Sequence, residues 1–65
     1  MPHLVLSVSG QLAQHKTNLL KVAHEAMLSS GIAPALDVKS RAMVCDDFLV
    51  GDGSLDAFAH VEIRI

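Results

Sequence analysis

Residues 3–8, HLVLSV, set Leu4, Leu6 and Val8 against His3, Val5 and Ser7. A run this short, β-branched and apolar on both faces predicts a strand buried within a sheet. Gly10 punctuates it. Over residues 11–30 the period lengthens. Leu12, Leu19, Val22, Ala23, Ala26 and Met27 recur at helical spacings and predict one helix with that stripe toward the core. Gln14, Lys16, Lys21, His24 and Glu25 fall mainly outside it, so His15 and His24 read as helix-surface residues. Ser9 would cap a long helix and Thr17 a shorter one. Gly31 and Pro34 close it.

Strict alternation then returns. In residues 36–45, LDVKSRAMVC, Leu36, Val38, Ala42 and Val44 share one face with Ser40, while Lys39, Arg41, Met43 and Cys45 share the other. DDFLVGDGS is a turn region marked by GDG, with Asp46 and Asp47 as turn residues. In LDAFAHVEIRI the row Ala57, Ala59, Val61, Ile63 and Ile65 opposes Phe58, His60, Glu62 and Arg64. The order β-α-β-β predicts an α+β unit spanning residues 1–65. Its first two strands form a parallel pair joined by a right-handed crossover helix, and the third strand returns as a hairpin.

Composition changes this picture in one respect. The chain has 65 residues, 51% of them hydrophobic, with a mean hydropathy of +0.41. So short a chain buries little apolar surface and needs staples or partners. Cys45 is the only cysteine, which excludes an internal disulfide and fits a reducing cytoplasm. His3, His15, His24 and His60 lack metal-motif spacing, so no metal is expected. No cofactor motif is present either. Partner subunits remain, and a homo-oligomer is expected. A net charge of −2 with two Phe and no Trp or Tyr gives no basis for nucleic-acid binding. No apolar run reaches the roughly 20 residues of a membrane span. There is no signal-peptide pattern, so a cytoplasmic location is expected.

Candidate chemistry begins at Pro2. Proline is tolerated at the start of a strand, and that is its plain reading. If Met1 is removed, as is usual before a small residue, Pro2 also presents a secondary amine. An ordinary α-amino group titrates at about 7.7–8.0. Apolar burial and a nearby cation push that value down, making the amine a base and, once protonated, an acid. Lys39 and Arg41 project from one strand face, about 6.5–7 Å apart. They form either an ordinary solvated face or an anion site, in which a guanidinium fork holds a carboxylate and the cations stabilise charge developing on an oxygen. In a parallel pair the starts of both strands lie at one end of the sheet, so Pro2 and Lys39 are expected to be neighbours, within one chain or across subunits. His60 reads as a packed or interface residue. His3 stands beside Pro2 and either tunes the amine or makes a structural hydrogen bond. Cys45 reads as a small hydrophobe.

Three segments carry a resemblance: MPHLVL at the start, GIAPALDVKSR after the helix and FAHVEIRI at the end. Together they resemble the 5-carboxymethyl-2-hydroxymuconate isomerase family of the tautomerase superfamily. The resemblance extends through essentially all 65 residues. It implies a β-α-β fold used twice per structural unit and a cofactor-free isomerase acting on carboxylated muconates from aromatic catabolism. It further implies Pro2 as the catalytic acid/base, and Lys39 and Arg41 as carboxylate binders at the family's basic-x-Arg positions. The chain departs from the pattern at Ser7, where the family often has glutamate, at Lys39, where arginine is common, and after Arg41, where an aromatic often follows. It resembles only the first half of the isomerase. A portion of a trimeric enzyme, a hexamer of short units and a remnant needing a partner are all compatible with that. A hydratase or dehalogenase using the same proline, and a non-catalytic binding or structural subunit, are the alternative functions.

Overall fold

A computed structural model of the chain describes residues 2–65. Three strands, β1 (His3–Ser9), β2 (Lys39–Cys45) and β3 (Ala59–Arg64), form a mixed sheet in the order β2-β1-β3. β1 pairs in parallel with β2, His3 opposite Lys39 and Ser9 opposite Cys45. It pairs antiparallel with β3, His3 opposite Arg64 and Val8 opposite Ala59. The expected α+β unit and its parallel pair are therefore present. The expected hairpin is not: the third strand crosses to the far side of β1 instead of folding back on β2. A β1 apolar on both faces makes a stable central strand, and residues 46–58 give the chain ample length to cross. The crossing is held by ring contact between Phe48 and Phe58, with centroids 4.8 Å apart.

One helix, α1 (Lys16–Ser29), lies on the face of the sheet carrying Leu4, Leu6 and Val8. These three residues, with Met27 and Val38, make the core, and Leu12, Leu20, Ala23, Leu28, Ala33 and Ala42 pack around it. The structure corrects the expected apolar stripe. Val22 is 66% exposed and Leu19 is also exposed, whereas Leu20, Ala23 and Met27 face the sheet. Of the predicted stripe, Leu12, Ala23 and Met27 pack on the core while Leu19, Val22 and Ala26 are exposed, and Leu20 and His24 join the contact instead.

The helix limits also differ from expectation. Residues Gly10–His15 form a 3-10 segment, and the α-helix begins only at Lys16, with His15 at its N-cap position. Neither Ser9 nor Thr17 caps it. Ser9 is fully buried and turned to β3: its amide donates to the Phe58 carbonyl at 3.0 Å, and its hydroxyl accepts the Phe58 amide at 3.1 Å. The C-terminus ends as predicted. Gly31 takes φ +70°, a conformation that a Cβ would strain. Pro34 then leads into a single 3-10 turn, Ala35–Asp37, so β2 starts at Lys39 and Leu36 stays outside it, 95% exposed. β3 likewise begins at Ala59, later than the alternation from Leu55 suggested.

Candidate active site

Pro2 opens the central strand and is buried. Its carbonyl accepts the Lys39 amide at 3.2 Å, which ties the first residue of interest to the first residue of β2. In extended backbone the nitrogen and carbonyl of one residue point to the same side. The Pro2 nitrogen therefore also faces β2. The expected closeness of Pro2 and Lys39 is present within a single chain.

Side-chain directions divide the candidates. Alternation along β1 puts the Pro2 ring on the same face as Leu4, under the helix side. Lys39 and Arg41 are exposed and belong to the opposite face, with His3, Val5, Glu62 and Arg64. Across that face the register sets Lys39, His3 and Arg64 in one row, and Arg41, Val5 and Glu62 in the next. Arg64 Nη2 donates to Glu62 Oε1 at 3.2 Å, a surface pair worth little for stability. Lys39 and Arg41 are the cations of β2 nearest Pro2. The Pro2 nitrogen lies in the plane of the sheet, at the end where β1 and β2 begin.

His3 is half-buried between Lys39 and Arg64. His60 is exposed opposite Ser7, four residue pairs along the ladder from His3 and Arg64. Cys45 is a partly buried free thiol at the far end of β2. Among the described residues, no group of three or more His, Cys, Asp or Glu side chains is placed to hold a metal ion. No helix among them is long and apolar enough to cross a membrane.

Two features escaped the sequence reading. His24, expected at the helix surface, is half-buried and lies 2.6 Å from Ser40 through Nδ1 and Oγ, linking α1 to β2. The signal was present, since position 24 falls four after Leu20 and three before Met27. The second is an apolar groove of about 410 Å³ on the helix side of the sheet. Leu4, Ala23, Met27, Ile32, Val61 and Ile63 are among its lining residues. It begins one alternate position along β1 from Pro2. Nothing in the periodicity announces it, because it arises from α1 lying over β1 and β2 and leaving β3 bare.

No curated relative matches the chain. The family described as 5-carboxymethyl-2-hydroxymuconate isomerase matches residues 2–65. With a match over essentially its whole length, the chain belongs to that family of tautomerase-type isomerases.

Proposed function

We propose that the chain catalyses a cofactor-free shift of one proton in 5-carboxymethyl-2-hydroxymuconate or a similar unsaturated 2-hydroxy acid. Pro2, freed by removal of Met1, is the acid/base. Met1 lies outside the described residues. The neutral amine takes the enol O–H proton, the oxygen becomes a carbonyl, and the double bonds migrate along the chain. The same nitrogen returns the proton to the distal carbon, forming the new C–H bond. No atom is gained or lost and no electron acceptor is required. Lys39 and Arg41 hold the carboxylates and stabilise negative charge on the oxygen as it develops. Burial of Pro2 disfavours its protonated form and supports a base that works near neutral pH.

The observation that carries this reading is a buried proline at position 2 whose backbone is fastened to Lys39, in a chain that belongs to an isomerase family. The test pairs the intact mass of the purified chain with ketonisation of the hydroxymuconate followed by ultraviolet absorbance. Turnover by a chain lighter by one methionine, and its loss in Pro2→Ala, is the expected result. A correctly processed and folded chain without turnover overturns it. The second reading is a non-catalytic binding subunit. It is favoured by one observation: the Lys39 and Arg41 side chains leave the face opposite the Pro2 ring.

We further propose that the working form is a cytoplasmic homo-oligomer, a trimer or a hexamer. Sedimentation equilibrium tests the assembly, and a folded monomer at micromolar concentration overturns it.

A further inference from the structure

Ser40 stands between the two cations of β2 and turns its side chain the other way. Alternation sends Lys39 and Arg41 to the face opposite the helix, and Ser40, paired with Leu4, to the face under α1. There Ser40 Oγ lies 2.6 Å from His24 Nδ1. His24 is half-buried, four residues after Leu20 and three before Met27, both of which pack on the core. Its ring is thus held by a stretch of helix that cannot shift without disturbing that core.

The backbone on either side of Ser40 is tied to β1. The Lys39 amide donates to the Pro2 carbonyl at 3.2 Å. In a parallel ladder this parity repeats every second residue, so the Lys39 carbonyl and the Arg41 amide face β1, whereas the amide and carbonyl of Ser40 face away from it. These ladder bonds act in the plane of the sheet. The His24 bond acts across that plane, toward the helix, and sets how far Ser40 is drawn out of it. A strand is pleated, so the depth of the pleat at Ser40 governs the distance and angle between the side chains before and after it.

We infer that His24 is a positioning residue for carboxylate binding. Through Ser40 it fixes the separation of Lys39 and Arg41, about 6.5–7 Å along the strand, so that both reach the carboxylates of one substrate. The inference rests on the proposed role of those two cations as carboxylate holders and adds the contact that spaces them. A binding pair loses its fit when its members move by more than about 0.5 Å, and a strand released at Ser40 has that freedom. Either tautomer of His24 serves, because the hydroxyl donates to an unprotonated Nδ1 or accepts from a protonated one. His24 itself transfers no proton to the substrate.

A merely structural role predicts a different result. A less stable chain contains fewer folded molecules, which lowers the apparent kcat and leaves KM and ligand affinity unchanged. The test measures the dissociation constant of cis,cis-muconate by NMR titration, beside KM for the hydroxymuconate. The probe is a dicarboxylate without the hydroxyl that the proposed reaction needs. Circular dichroism checks the fold of each variant. His24→Ala and Ser40→Ala should each raise both constants about three- to tenfold, the effect of one hydrogen bond. The double variant should bind no worse than the weaker single one, because both remove the same contact. His24→Asn keeps a hydrogen-bonding atom near the place of Nδ1 and should stay within about twofold of wild type.

Wild-type constants in folded His24→Ala or Ser40→Ala overturn the inference. So do additive losses in the double variant, or a His24→Asn chain as weak as His24→Ala. If His24→Ala fails to fold, Ser40→Ala and His24→Asn decide. Muconate binding by a wild-type chain that does not turn over the hydroxymuconate removes the proposed reaction alone, and the dissociation constants still decide the role of His24. A wild-type chain that does not bind muconate overturns the inference itself.

Discussion

The Pro2 carbonyl accepts the Lys39 amide at 3.2 Å, and this bond ties the start of β1 to the start of β2, where the proposed chemistry occurs. Pro2→Ala keeps the carbonyl and hence the bond. It also keeps a free amine after processing, but a primary one without the ring that fixes its backbone angle. The expected outcome is an unchanged melting profile with kcat reduced on the order of 10²-fold, the lower range for a displaced acid/base group. Steady-state kinetics beside a thermal melt separates the two effects, and an unchanged kcat removes Pro2 from the mechanism.

Arg41→Ala removes from the exposed face the guanidinium proposed to hold a carboxylate, without touching the core. A charged hydrogen bond of about 1.5–3 kcal/mol predicts a loss of kcat/KM of roughly 10- to 150-fold. Lys39→Arg supplies a guanidinium fork and should match or exceed the wild-type kcat/KM. Wild-type kinetics in Arg41→Ala would remove its carboxylate role.

His24 and Ser40 fasten the helix to β2. A double-mutant cycle of His24→Ala and Ser40→Ala should give a coupling of about 0.5–1.5 kcal/mol in denaturant unfolding. Additive losses would mean that the 2.6 Å approach contributes nothing.

The phase of the helix gives a further test. Met27→Ala should cost about 2–5 kcal/mol, as expected for a buried methionine. Val22→Ala should stay within about 0.5 kcal/mol. Equal losses would restore the stripe through Val22.

In the loop after β2, the Ser54 hydroxyl and then its amide, which donates to Asp52 Oδ1 at 2.9 Å, hold the Asp52 carboxyl below its ordinary value. A pKa lowered on folding favours the native state above the unfolded value, about 3.9. That preference is lost as pH falls through the lower folded value. Asp52 should therefore titrate by NMR below that of a model peptide, and Ser54→Ala should move it back up. No change on substitution would assign the shift to another cause.

Most of the fold was legible because its strands alternate and its helix ends in Gly31 and Pro34. β1 was readable as a central strand from apolar residues on both faces. Its second partner was not readable, because DDFLVGDGS carries the punctuation of a tight return while the packing of Phe48 on Phe58 and the burial of Ser9 direct the chain elsewhere. Ser9 illustrates the general difficulty. A serine before a helix is a good cap in isolation, and here the unpaired amide of Phe58 claims its hydroxyl. The helix stripe was half legible: Leu12, Ala23 and Met27 pack on the core as expected, whereas Leu19 and Leu20 are equally apolar and the sequence alone does not choose between them. At the site, the nearness of Pro2 and Lys39 followed from parallel topology alone. The face to which each side chain turns followed from alternation, yet the rows formed across the sheet emerge only with the register.

Pro2 stands at the mouth of the sheet's middle strand, flanked by the start of β2 and the end of β3. For anyone producing this chain, that position turns cloning design into an enzymological variable. A single residue left ahead of Pro2 by a cleaved tag would convert the amine into an amide and silence the proposed reaction without disturbing the core. An apparently inert preparation would then report on the vector and say nothing about the proposed activity.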